Sequence, residues 1–143
     1  MANDIPFDES IAAGFLKNRA GMGGLHEYLG IKLVDAGPGT MTGELEVRED
    51  LLTNFGNMHG GVLSALCDHM LGCVCYPAMK KGQWAATTEF KINLTAPVSQ
   101  GKVVADATII NLSRTQAVVR IDVSNEGRIA AVAQGTVTIR DPR

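Results

Sequence analysis

An α+β domain is the fold this sequence predicts, with a curved antiparallel sheet of about six strands wrapped around one long helix and a short helix ahead of it. Three observations lead there. Six runs alternate apolar and polar residues, the period of strands with one buried face. One segment, from Gly60 to about Ala78, is apolar on nearly every side, as a helix enclosed by its own fold must be. The order along the chain is helix, two strands, the long helix, then four strands joined by short connections, which makes those last strands antiparallel. With 143 residues, the chain is expected to form one domain, 1–143, with 1–24 a helical extension and 25–140 the core.

Residues 8–19 read as an amphipathic helix. Asp8 and Glu9 open it and Lys17 and Arg19 close it, charges that suit the helix dipole. Ile11 and Phe15 share a face at i, i+4. Gly21-Met22-Gly23-Gly24 breaks the helix, and Leu25–Leu29 forms another short helical turn. A hairpin follows. Ile31, Leu33 and Asp35 alternate with Lys32 and Val34; Met41, Gly43, Leu45 and Val47 alternate with Thr42, Glu44, Glu46 and Arg48; Gly37-Pro38-Gly39 makes the turn.

In the long helix, Val62, Leu63, Leu66, Met70, Leu71, Cys73 and Val74 cover most of the circumference. The least apolar stripe is Gly61, Ser64, Ala65, Asp68, Gly72 and Cys75, spaced by three and four. Small residues there would let another backbone approach. Pro77 and Gly82 bracket the end. The later strands place Thr88, Phe90, Ile92 and Leu94 on one face, then Val103 to Ile109, Ala117 to Val123 and Ile129 to Ile139, with breaks at Ala96-Pro97, Asn111–Arg114 and Ser124–Gly127.

Composition narrows the partners. A formal net charge of −2 with 45% hydrophobic and 20% charged residues gives no reason to expect nucleic acid or a membrane surface. The N-terminus is acidic and lacks a basic region followed by an apolar run, and Asp68 and His69 interrupt the longest apolar stretch, so a cytoplasmic location is expected. Cys67, Cys73 and Cys75 all fall in that stretch. An odd count on one helix is a poor disulfide framework, and residues two apart on a helix diverge, so small buried thiols are expected and no metal site.

The run from Asn57 to Asp68 carries the chemistry. His59-Gly60-Gly61 opens the helix and a lone carboxylate sits among Leu66, Cys67, Met70 and Leu71. Burying that acid without a reason is expensive. Glycines at a helix start let something approach N–H groups that have no partner in the helix.

With this strand and helix order, the His59-Gly60-Gly61…Asp68 spacing resembles the hotdog-fold acyl-CoA thioesterases, and within them the PaaI-like (phenylacetate-pathway type) group. The resemblance covers roughly Leu25 to Ile139, and Thr87–Pro97 is similar to the family's strand after the helix. It implies that the Gly60 N–H polarises a thioester carbonyl and that Asp68 is the catalytic carboxylate. His59 and an upstream Asn, Asn54 or Asn57, would orient substrate or water, beside Gly61. A hydroxyl from the next strand falls at Thr87, although alternation puts Thr88 on the apolar face. Coenzyme A, as part of the substrate, would meet the turn Ser113-Arg114-Thr115, with Lys91, Lys102 and Arg120 as further cations. No cofactor is implied. The family's assembly is a homodimer that often pairs into a homotetramer.

Elementary chemistry supports the same roles. Helix N-terminal N–H groups are preorganised for an oxyanion. A carboxylate delivers water as a general base or attacks directly through an anhydride. Gly60 and Asp68 lie about 12 Å apart along the helix axis, so one scissile bond cannot touch both within one chain. Gly60 of one subunit must then meet Asp68 of another, and an antiparallel helix pair does this twice.

Plainer roles exist for each residue. Asp68 could fix helix register, His59 could simply start a helix, and Asn54 and Asn57 could be turn residues. His69 reads as a core or interface histidine, and His26 as a polar turn residue. Leu51, Leu52, Phe55 and Met58 are expected in the acyl pocket wall. Two other functions share the fold: an enoyl-CoA hydratase or dehydratase, against which His-Gly-Gly argues, and a non-catalytic acyl-CoA-binding module.

Overall fold

A computed structural model describes residues 4–143. The first helix, α1 (Glu9–Leu16), starts where Asp8 accepts the N–H groups of Ser10 and Ile11 at 2.9 and 3.0 Å, a side-chain N-cap. Asn18 then ties the extension to the sheet: it accepts the Leu33 N–H at 2.7 Å and donates to the Leu33 carbonyl at 2.8 Å. The glycine loop is shaped by Glu27, whose carboxylate accepts the N–H groups of Gly21 and Gly23. Those bonds hold its carboxyl below the ordinary value. Glu27 belongs to the short helix α2 (Leu25–Leu29). Arg48 pins α2 from below by donating to the carbonyls of Leu29 and Tyr28.

The sheet has six strands: β1 (Lys32–Gly37), β2 (Thr40–Glu46), β3 (Trp84–Leu94), β4 (Lys102–Leu112), β5 (Gln116–Asn125) and β6 (Arg128–Arg140). All pairs are antiparallel, in the order β1-β2-β4-β5-β6-β3. This is the hotdog architecture, with one correction to simple succession. β3 and β4 are consecutive but not neighbours. β3 lies at the far edge beside β6, and residues 95–101 carry the chain back across. Val98 anchors that crossing, buried, with its carbonyl accepting the Met58 N–H.

The long helix α3 (Gly60–Cys73) lies in the curve of the sheet. Leu63, Leu66, Cys67, Met70 and Leu71 join Met41, Leu45, Val103, Ile121 and Val123 in one buried core. The α-helix stops at Cys73, short of the expected Ala78. The backbone keeps turning, but bonds tighten to the i−3 pattern from Cys75 to Met79, around Pro77. Proline supplies no N–H and disfavours α geometry before it, which favours the tighter turn.

β3 carries a bulge that alternation could not reveal. Thr87 pairs with Val137 and Glu89 with Thr136, leaving Thr88 extra. The bulge reverses parity. Thr87 therefore shares the helix-facing side with buried Val137, as Phe90 and Ile92 do further along. Thr88 turns outward and bonds the Thr138 hydroxyl. The apolar-face expectation for Thr88 is thereby overturned.

β6 approaches β3 closely at Gly135. A Cβ there would lie 2.5 Å from both the Glu89 carbonyl oxygen and the Phe90 Cβ. Backbone cannot yield as a flexible side chain can, so Gly135→Ala should destabilise the fold by about 1–3 kcal/mol. Urea denaturation checks this: the midpoint should fall with the slope unchanged.

Candidate active site

The start of α3 is held from both sides. Leu52 and Met58 form an isolated bridge, the Thr53 N–H bonds the Asn57 carbonyl at 2.7 Å, and the His59 N–H bonds the Leu51 carbonyl at 3.0 Å. His59 is the N-cap, and its Nδ1 accepts the Gly61 N–H at 2.8 Å. Nδ1 must therefore carry no proton, and in the neutral ring Nε2 is the donor. The Val62 N–H bonds the His59 carbonyl at 2.9 Å. Among the described residues nothing accepts the Gly60 N–H, so it is the open donor at the positive end of the helix.

The two glycines make room for the chain's own side chains. A Cβ at Gly61 would sit 2.9 Å from His59 Nδ1, and one at Gly60 would sit 2.7 Å from Leu94 Cδ1. Of the first-turn N–H groups that the glycines leave open to approach, one is taken by the chain itself. Gly61 seats the capping imidazole, and its N–H is already used. Asn54 is exposed in the loop tip, and no hydrogen bond engages it. Asn57 is half-buried, with its Oδ1 accepting the Thr53 hydroxyl at 3.3 Å. Leu51 and Met58 are in the core and Phe55 projects into solvent, 87% exposed.

Asp68 is exposed, where a buried acid was expected. It lies on the stripe with exposed Gly61 and half-buried Ser64, Ala65 and Gly72. Cys75 drops off the stripe and is buried in the tight turn. His69, the next residue, points the other way. Its ring stacks on His26 at 5.1 Å between centroids and 4° between planes, a partnership the sequence gave no sign of. Its Nε2 is 3.4 Å from the Cys73 Sγ. Burial lowers the His69 pKa below its ordinary 6.5, the His26 charge lowers it further, and Asp68 opposes both. All three cysteines are buried, and burial pushes their thiols up to about 12.

The remaining candidates sit at the other end of the sheet. Leu94, which touches Gly60, pairs with Ala131. Thr87 pairs with Val137, Val137 with Ala117, and Ala117 with Leu112, beside the turn Ser113-Arg114-Thr115. From Ala131 to Val137 is about 20 Å of strand. A single chain thus brings Thr87 and Arg114 together at one end and His59, Gly60, Asn54 and Asn57 at the other. Asp68 lies between them.

Ser113 and Arg114 line a shallow pocket of about 210 Å³ with Lys80 and Gln83. Thr115 is not in its wall; its carbonyl accepts the Ile139 N–H. Lys80 is a cation the sequence reading missed, because only the turn after α3 brings it beside Arg114. The other candidate cations are elsewhere engaged or face away. Lys102 pairs with Glu44 and Arg120 with Asp122, and Lys91 is on the outer face opposite Gln134.

Comparison with known proteins gives the family. The thioesterase superfamily matches residues 55–132 of the chain. The 1,4-dihydroxy-2-naphthoyl-CoA hydrolase of Listeria monocytogenes is 26% identical over 121 residues, 84% of this chain and 98% of that protein. A thioesterase structure from Haemophilus influenzae superposes with a TM-score of 0.80 at 26% identity, covering 99% of this chain and 96% of that one. A variant of the phenylacetic acid degradation protein PaaI from Thermus thermophilus superposes with a TM-score of 0.72 at 33% identity, covering 79% and 96%.

The His69 environment has a measurable consequence. The folded chain favours its neutral ring, so on acidification the unfolded chain takes up the proton first. The His69 contribution to stability is full above pH 6.5 and is lost as pH falls from 6.5 to the folded-state midpoint. An imidazole NMR titration should place that midpoint below 6.5. A midpoint at or above 6.5 contradicts the burial and stacking described.

Proposed function

Since the chain belongs to the thioesterase superfamily, we propose that it hydrolyses acyl-CoA thioesters to free coenzyme A and a carboxylic acid, in a site built by two copies of the chain. The observation that carries this is the separation between the open Gly60 N–H and the Asp68 carboxylate. They are about 12 Å apart along a rigid helix, too far to serve one carbonyl.

Two features support a paired assembly. The stripe bearing Asp68 is made of small residues and is exposed at Gly61 and Asp68 and half-buried at Ser64, Ala65 and Gly72. β3 is an eleven-residue edge strand, with a row of backbone groups free to pair. Antiparallel pairing of two β3 edges about a two-fold axis sets Leu94 beside the start of the partner's strand. Gly60, which touches Leu94, then meets Asp68 of the partner subunit and Thr87 of the partner subunit. The same operation builds the second site.

In that site the Gly60 N–H stabilises the oxyanion that forms as the thioester carbonyl is attacked. The Nε2–H of His59 is its remaining donor and orients the carbonyl or the water. Asp68 takes a proton from water, or attacks the carbonyl to form a mixed anhydride that water then cleaves. Thr87 holds the Asp68 carboxylate or the water. Arg114 and Lys80 meet the phosphates of coenzyme A, with Ser113 and Gln83 as hydrogen-bonding partners.

Two variants and their mixture test the shared site. Asp68→Ala removes the base and should lower thiol release from acyl-CoA about 10²–10⁴-fold. Gly60→Pro removes the donor N–H at a position that suits proline, the first of the helix, and its Cβ also shifts the flexible end of Leu94. It follows His59 at φ −59°, ψ 133°, a conformation that proline tolerates before it. Its activity should drop about 10²–10³-fold. Co-refolded together, the two inactive chains should regain about a quarter of wild-type activity, because half the dimers are mixed and each mixed dimer has one intact site. No recovery rules out sharing. Water addition to an enoyl-CoA without thiol release rules out hydrolysis.

A further inference from the structure

We propose that the cavity between α1, α2 and α3 is a second binding site, separate from the Asp68 centre, and that it takes a small carboxylate carried on an apolar body. The cavity measures about 580 Å³, inside the range of about 300–1,000 Å³ typical of small-molecule sites. Its apolar walls are Ile11 and Phe15 from α1, Met22 from the glycine loop, and Ile31 and Leu33 leading into β1. The stacked His26 and His69 rings close it toward α3. Neither Asp68 nor any residue of β3 is in its wall, and β1 lies at the opposite edge of the sheet from β3. Its occupancy does not depend on the thioesterase reading.

Gly14 keeps this space open. It shares the inner face of α1 with Ile11 and Phe15, at helical spacing. Glycine inside a helix costs about 0.5–1 kcal/mol relative to alanine. The two usual reasons for accepting that cost are missing here. The Gly14 backbone is not left-handed, and a Cβ built on it meets nothing within 4 Å. A larger side chain at this position would take up cavity space. The walls are also fixed. Asn18 ties α1 to β1, the Asp8 N–H bonds the Pro77 carbonyl at 2.7 Å, and Arg48 holds α2. A pocket already formed loses little ordering entropy when filled.

Charge selects the head of the ligand. Arg19 and Lys32 line the cavity and are exposed, so they stand at its rim. They are the chain neighbours of Asn18 and Leu33, whose two hydrogen bonds of 2.8 and 2.7 Å join the extension to β1. Both cations therefore flank one join. Among the described residues neither has a carboxylate partner; the ion pairs are Arg48–Asp50, Lys102–Glu44 and Arg120–Asp122. The one carboxylate in the wall, Glu27, is committed to the Gly21 and Gly23 N–H groups. The rim thus offers two unpaired cations on a chain whose net charge is −2. A carboxylate pairs with them, while an apolar body removes the inner walls from water. A cationic head meets only repulsion there.

Dodecanoate, kept below its micelle concentration, is the probe, and dodecyltrimethylammonium is the control with the same tail and the opposite charge. In the wild-type chain dodecanoate should shift the imidazole NMR signals of His26 and His69 saturably. Saturating coenzyme A should leave that titration unchanged, and the cationic probe should bind at least fivefold more weakly. Gly14→Leu fills the space and raises helix propensity, so it should weaken dodecanoate at least tenfold. The double variant Arg19→Ala, Lys32→Ala alters only exposed side chains. It should weaken dodecanoate at least fivefold and leave the cationic probe no weaker. Imidazole signals that do not move, or an affinity unchanged in Gly14→Leu, overturn the site. Equal binding of the two probes, or an affinity unchanged in the double variant, overturns the carboxylate assignment. Competition by coenzyme A overturns the separation from the reaction centre.

Discussion

The rigid rise of one helix is the constraint on which the rest depends. Between Gly60 and Asp68 the backbone is continuous α-helix, and no rotamer shortens its rise of about 12 Å. The sheet repeats the constraint. Antiparallel pairing fixes Leu94 in one row and Thr87 in another, about 20 Å away along β6. Two independent scaffolds, helix and sheet, separate the same two sets of residues in the same direction. An active site that uses both sets needs a second chain.

The uncovered side of α3 follows from the same design. Large residues at Leu63, Leu66, Cys67, Met70 and Leu71 fill the curve of the sheet, while Gly61 is exposed beside Asp68 and Ser64, Ala65 and Gly72 are half-buried. A monomer gains little from small residues on an exposed helix face, and glycine weakens it. In the proposed pair they would let a second backbone approach closely. The exposed carboxylate fits that picture better than a buried one would. It avoids the desolvation cost in the separate chain and meets its surroundings only on assembly.

Local pattern made the elements and the chemistry of α3's first turn legible, and long-range geometry hid the rest. Apolar periodicity located α3 and the strands, and glycine-proline breaks located the turns. The position of β3 beside β6 depends on a crossover that no local signal encodes. The bulge at Thr88 is one unpaired residue in an otherwise regular alternation, and it decides which threonine faces the helix. Asp68 looked buried because its sequence neighbours are apolar, yet neighbours on a helix point in different directions. His26 and His69 lie far apart in sequence, and Lys80 reaches Arg114 only because the chain tightens around Pro77.

His59, Gly60 and Gly61 act as one unit. The imidazole takes the Gly61 N–H, which fixes its tautomer and turns Nε2–H outward. It also leaves the Gly60 N–H as the donor in that turn without a partner. A side chain at Gly61 would displace the ring, and one at Gly60 would displace Leu94. The motif therefore selects one N–H among the helix's open groups by capping the next one. Eight residues on, α3 makes a second selection: successive residues send the Asp68 carboxylate to the open face and the His69 ring to the cavity under the extension. One helix thus leaves a single N–H open at its first turn and turns two neighbouring ionisable side chains apart at its third.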